Sequence, residues 1–189
     1  MAKNYSNVGG SILPPYVKLA IGISIIGVVG FAAYKIYKSI SGIGGGRDEN
    51  KVLDLVDKEL KDKIKAGDSL SKPLSTYQST ANAIEEKLKG CETVGTEVAV
   101  IKLVISQVKK PIDWLQLTKA FGKRKIDDCG FLTGDTDYEL GNLLKDQLDQ
   151  EVTLGVIQAD NFVYNTAKSG KKKAFDILKI YLTKIGVSI

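Results

Sequence analysis

One run of residues limits what this chain can become more than any other. Leu19 to Tyr34 reads LAIGISIIGVVGFAAY, with no charge and no proline. Extended outward to Tyr16 and Tyr37, it covers 22 residues whose only charges are Lys18 and Lys35 near the ends. A helix rises about 1.5 Å per residue, so this stretch matches a hydrocarbon layer of about 30 Å. Its terminal lysines can snorkel to the interface, and Tyr16, Tyr34 and Tyr37 stand where an aromatic belt belongs. The pattern predicts one transmembrane helix over 16–38. A buried core helix of this length would carry polar residues on some face. A cleavable signal would need a small-x-small site after the run, where Ala32-Ala33-Tyr34-Lys35 stands instead.

Charge divides the chain at the same place. Residues 1–47 hold Lys3, Lys18, Lys35, Lys38 and Arg47 and no acid, while residues 48–189 hold the other 22 basic residues and all 22 acidic ones. The net charge of +5 therefore belongs to the apolar end, beside which anionic headgroups would lie. The neutral remainder has no electrostatic footprint for nucleic acid, so a specific nucleic-acid partner is not expected. Lys35, Lys38, Arg47 and Lys51 follow the span, against Lys3 and Lys18 before it. The positive-inside rule thus favours the C-terminal part on the cytoplasmic or interior side.

Several chemistries are excluded by what is missing. The chain has no histidine, which removes Ser-His and Cys-His nucleophilic sites and His-ligated zinc. Cys91 and Cys129 are the only cysteines. They are too few for a disulfide framework and too far apart for a CxxC metal site. Reduced thiols suit a body facing the cytoplasm.

Taken in order, residues 1–15 form an N-terminal arm ending in Pro14-Pro15. Small residues within the span (Ala20, Ser24, Gly27) allow self-association through the membrane helix. Ser39 to Arg47 reads SISGIGGGR, and its glycines predict a hinge over 39–47. No strand precedes it and no GK[ST] follows, so it is not a phosphate loop. From 48 to 189 the sequence predicts an all-α body of about six helices. Asp48 to Ala66 carries Leu53, Val56, Leu60 and Ile64 on one face and ends at Gly67. Pro73 to Lys89 places Tyr77, Ala81, Ile84 and Leu88 together. The run 97–108, EVAVIKLVISQV, is apolar on almost every side and reads as a buried central helix capped by Thr96. Pro111 opens the next helix, with Ile112, Leu115 and Phe121 inward and Gly122 as its stop.

Lys119, Lys123, Arg124 and Lys125 sit close to Asp127 and Asp128, which reads as a self-neutralising surface. Asp135 or Thr136 is expected to cap a helix carrying Leu140, Leu144 and Leu148. Another helix is expected over about 151–166, with Val152, Val156 or Ile157, and Val163 inward. The last runs over about 172–185, with Phe175, Leu178, Leu182 and Ile185 inward and Lys171 to Lys173 at its start.

From about Ser79 to Val156 the order of features resembles a single annexin-type helical repeat, of the diverged kind found in bacterial and phage proteins. Gly95-Thr96-Glu97 corresponds to the Gly-Thr-acid turn before an apolar helix. Phe121-Gly122 corresponds to the aromatic-glycine that ends the next. Asp137-Tyr138-Glu139-Leu140, through Leu144 to Gln147-Leu148, corresponds to the final acid-and-leucine helix. The resemblance implies a calcium-type turn at Gly95-Thr96-Glu97 completed by Asp135. However, Thr93 stands where the family has a glycine two residues before Gly95. No metal, cofactor or catalytic residue is therefore assigned. The acid pairs Asp127-Asp128 and Asp135-Asp137 are the nearest approach to acid–base machinery, and loop acids of this kind are caps or surface groups.

These readings converge on a non-enzymatic, single-pass membrane protein whose helical module docks on other structural proteins of an assembly. A minor virion protein tying the membrane to the capsid of a lipid-containing bacteriophage is one such setting. A bacterial inner-membrane adaptor or regulator is the alternative.

Overall fold

The structure, a computed structural model, describes residues 49–89, 95–127, 135–149, 151–152, 156–165, 169, 172–187 and 189. The arm, the apolar span and the Gly-rich hinge lie outside the described residues, as do Cys91, Cys129, Asp128 and Lys171. No described helix is long and apolar enough to cross a membrane.

Helix α1 spans Glu49–Lys65. Val52, Val56 and Leu60 are its buried side chains, at four-residue spacing on one stripe. The stripe is rotated from the expected one: Leu53 is half-buried, and Ile64 is 52% exposed. The helix closes with a paired bond set, Gly67 N to Ile64 O and Asp68 N to Lys63 O, both 3.0 Å. Gly67 sits at φ +94°, the left-handed position this closure requires.

Helices α2 (Leu74–Leu88), α3 (Thr96–Gln107) and α4 (Pro111–Phe121) fall where the sequence places them. Tyr77, Ala81, Ile84 and Leu88 of α2 are fully buried, as are Val100, Ile101, Val104 and Ile105 of α3. Pro111 takes the first turn of α4, and Gly122 caps its end through a bond to Thr118 O. Thr96 is the first residue of α3 rather than its cap; Gly95, at φ +96°, holds that position.

The C-terminal third departs from an all-α body. Strand β1 (Arg124–Asp127) pairs antiparallel with β2 (Asp135–Tyr138). Asp135 and Thr136 are therefore strand residues. Helix α5 begins only at Leu140 and runs to Gln147, with Glu139 as its cap. Leu140, Leu144 and Leu148 face the core as expected. The helix expected over about 151–166 is replaced by strands β3 (Glu151–Val152), β4 (Val156–Ala159) and β5 (Phe162–Asn165). Strands β4 and β5 form a hairpin in which Ile157 opposes Tyr164 and Ala159 opposes Phe162. Side chains alternate as strands require. Ile157, Phe162 and Tyr164 are buried, while Val156 and Val163 are 51% and 59% exposed. Val163 thus faces outward, contrary to the helical expectation.

Lys172 and Lys173 are not in a first helical turn. They form strand β6, paired with β3 through Glu151↔Lys173 and Val152↔Lys172. Helix α6 (Ala174–Lys184) follows, with Leu178 and Leu182 buried as expected. Ala174, Ile177 and Tyr181 complete its inner face, while Phe175 and Ile185 are only partly buried. The fold is mostly helical, with three antiparallel strand pairs among the described residues. One core runs from Tyr77 through α3, α5 and the hairpin to Ile189. A second, small cluster joins Val56 and Leu60 of α1 to Ile112 and Leu115 of α4.

Candidate functional site

A buried polar construction lies at the junction of α3 and α4. Pro111 cannot donate a backbone N–H, and an acid two residues later, at the third helical position, can cap the exposed amides. Asp113 does this and more. Fully buried, it accepts from Lys109 N at 2.9 Å and Lys110 N at 3.2 Å through Oδ2. Its Oδ1 accepts from Ser71 N at 2.8 Å and the Tyr77 hydroxyl at 2.6 Å. One carboxylate therefore joins the α1–α2 connection, helix α2 and the α3–α4 turn. Burial pushes its pKa up, but the hydrogen bonds from Tyr77 and Ser71 and from Lys109 outweigh it, leaving the carboxyl below its usual range. Tyr77 is pushed the other way, by burial and then by its bond to the Asp113 carboxylate.

Beside this junction lies an open cleft of about 590 Å³, lined by Lys109, Asp160, Asn161, Phe162, Tyr181 and Lys184. The Phe162 and Tyr181 rings meet edge-on at 5.3 Å. The Tyr181 hydroxyl donates to the Val108 and Ile105 carbonyls, and burial, then the Asp113 charge, raises its pKa. Lys109 donates to Ile105 O at 2.6 Å and pairs with Asp160. Burial, and then the charge of Lys72, lowers its pKa. These contacts satisfy the carbonyls at the C-terminal end of α3 and complement its dipole. The cleft is built as a lock on a helix end.

The residues singled out by sequence are dispersed. Gly95 and Thr96 open α3, and Glu97 is buried in its first turn. Asp135 lies in β2, opposite Asp127 in the register. No described group of three acidic or cysteine residues is placed to hold a metal ion. Asp137 pairs with Lys123 at 3.1 Å. The basic run resolves into separate contacts. Lys119 pairs with Asp57, and Arg124 pairs with Glu85 and stacks over the Phe121 ring at 4.8 Å. Lys125 is exposed. The glycines, aromatic-glycine and leucines that carry the annexin resemblance occupy helix ends and the core.

Sequence reasoning missed two features. Asp113 was legible as an acid two residues after Pro111, at the third helical position. The hairpin had its signal in VIQA-DN-FVYN, two β-rich runs around a two-residue turn. The chain matches no family, no curated protein and no solved structure.

Proposed function

We propose that this chain is a single-pass membrane-anchored structural or interaction protein: a lipid tether, a hinge and a folded body that docks on other proteins of an assembly. The observation that carries this reading is the division of the sequence. The uncompensated charge and the 22-residue apolar run stop before residue 48. A folded body begins just after it, with helix α1 on a small apolar cluster and the main core from Tyr77 onward. The body is read as non-catalytic because its acidic groups serve structure. Asp113 and Glu139 cap helices, and Asp57, Glu85, Asp137 and Asp160 are ion-paired. The annexin-like order of features supports a bacterial or phage membrane as the setting, where the body would tie a lipid layer to an overlying protein shell.

Two fractionations test this. Expressed in bacteria, the full chain should stay with membranes through alkaline carbonate extraction, and a version starting at residue 48 should be released. In native material the protein should co-purify with lipid-bearing particles; recovery only with host membrane would favour a cellular adaptor. Release of the full chain by carbonate would remove the tether reading.

A further inference from the structure

Helix α1 is attached to the body unlike any other described helix. Its contact with the rest runs through the small cluster of Val56, Leu60, Ile112 and Leu115, separate from the main core; only half-buried Leu70 touches both. Its one extensive element contact among the described residues is with α4. An ion pair at the surface also joins it to α4. The Asp57 carboxylate lies between Lys61, at 2.5 Å, and Lys119 of α4, with the Asp57 and Lys119 side chains 30% and 46% exposed. Exposed pairs of this kind are weak and are screened by salt.

The next segment is held quite differently. Lys110 Nζ donates to Ser69 O at 2.5 Å, Ser71 N to Asp113 at 2.8 Å, and Lys72 N to the Tyr77 hydroxyl at 3.2 Å. The chain from Ser69 onward is thus tied to the buried node of the main core. Between the two attachments stands Gly67, at φ +94° with open space around it.

We propose that α1 is a releasable strap. It leaves the α4 surface by pivoting at Gly67, while residues from Ser69 onward stay anchored to Asp113. This rests on the tether reading. The Gly-rich segment 42–46 lies just before α1, so release adds the helix to the tether. While it stays helical, the freed segment of 17 residues at about 1.5 Å each adds about 25 Å of reach between bilayer and body. Release also uncovers Ile112 and Leu115. An isolated helix of this length is marginal in water, so the freed segment frays.

Hydrogen exchange of the full chain in nonionic detergent, read peptide by peptide, tests the strap. α1 amides should exchange at least about tenfold faster than those of α3, whose inner face is fully buried. Lys119→Gln, or a rise in salt, should speed α1 several-fold further and leave α3 unchanged. Equal exchange of α1 and α3 would overturn the proposal, as would acceleration of both together by Lys119→Gln, since α1 would then belong to one cooperative unit. Flotation of the same protein with vesicles separates the two readings. Equal exchange in a protein that floats removes the strap alone. Fast α1 exchange in a protein that does not float removes the tether and its gain in reach.

Discussion

Replacing Asp113 removes a carboxylate that joins three segments, so its effect can be worked through in detail. In Asp113→Ala the Tyr77 hydroxyl and the Ser71 and Lys109 amides lose a charged acceptor at 2.6–2.9 Å. Hydrogen bonds to charged groups are worth about 1.5–3 kcal/mol each. The two amides are only partly buried, so water replaces part of what they lose. The net cost should be about 3–4 kcal/mol, a fall of roughly 10 °C in Tm for a domain of this size. Tyr77→Phe, which removes a single donor, should cost about 1–2 kcal/mol. The two changes share a bond and should be non-additive by at least about 0.5 kcal/mol. The pH dependence has a definite sign. The folded carboxyl titrates below its usual range, so the unfolded chain takes up the proton first. This contribution to stability is therefore present above the unfolded pKa of about 3.9 and is lost as the pH falls through the lower folded value. Asp113→Asn should flatten that part of the acid limb. Thermal unfolding of the full chain by circular dichroism, repeated from pH 6 to pH 2, measures all of this. A cost below about 1 kcal/mol for Asp113→Ala, or additive effects with Tyr77→Phe, would refute the node.

Other outcomes follow from single positions. Gly95→Ala should cost about 1–2 kcal/mol in thermal unfolding: a Cβ there meets nothing within 4 Å, but the positive φ disfavours any L side chain. The hairpin register can be read by a contrast in denaturant midpoints. Ile157→Ala should cost about 2–4 kcal/mol, whereas Val163→Lys, on the exposed side, should shift stability by no more than about 0.5 kcal/mol. A large loss from Val163→Lys would contradict the outward face. Leu60→Ala should remove helical signal equivalent to α1 at temperatures where the main core remains folded, whereas Leu144→Ala should lower the main transition itself by about 2–5 kcal/mol.

The helices that sequence reading recovered are those where several local signals agree. In α2 the stripe of Tyr77, Ala81, Ile84 and Leu88 fits a 3.6-residue period and nothing else. In α4 a proline start, an aromatic-glycine stop and an apolar face coincide. The misplaced elements are those decided by distant partners. Lys172 and Lys173 form a strand because Glu151 and Val152 pair with them, and a two-residue strand leaves no periodic trace. Asp135 and Thr136 look like helix caps, and would be, had β1 not claimed them as pairing partners. Glu139 then caps α5 with bonds to the Gly141 and Asn142 amides. Over 151–166 both periods could be threaded. Val152, Val156 and Val163 fit a helix, while Ile157, Phe162 and Tyr164 fit alternation around Asp160-Asn161. Short runs do not settle that competition. The Asp113 node was half-legible: its position behind Pro111 marks a cap, but its bonds to Ser71 and Tyr77 depend on packing between segments far apart in sequence.

The central claim, that the apolar run holds the body to a lipid layer, is tested most directly by reconstitution. Purified full-length chain is mixed with detergent-solubilised lipid, the detergent is removed, and the vesicles are floated on a density gradient. A version carrying Ile26→Asp and Val29→Arg is treated in the same way. Each charge near the centre of a span costs about 2.5–3.5 kcal/mol on insertion scales. The unaltered chain should float with the lipid and resist carbonate, and the doubly charged version should remain at the bottom of the gradient. Equal flotation of the two, or no flotation of either, would contradict the account.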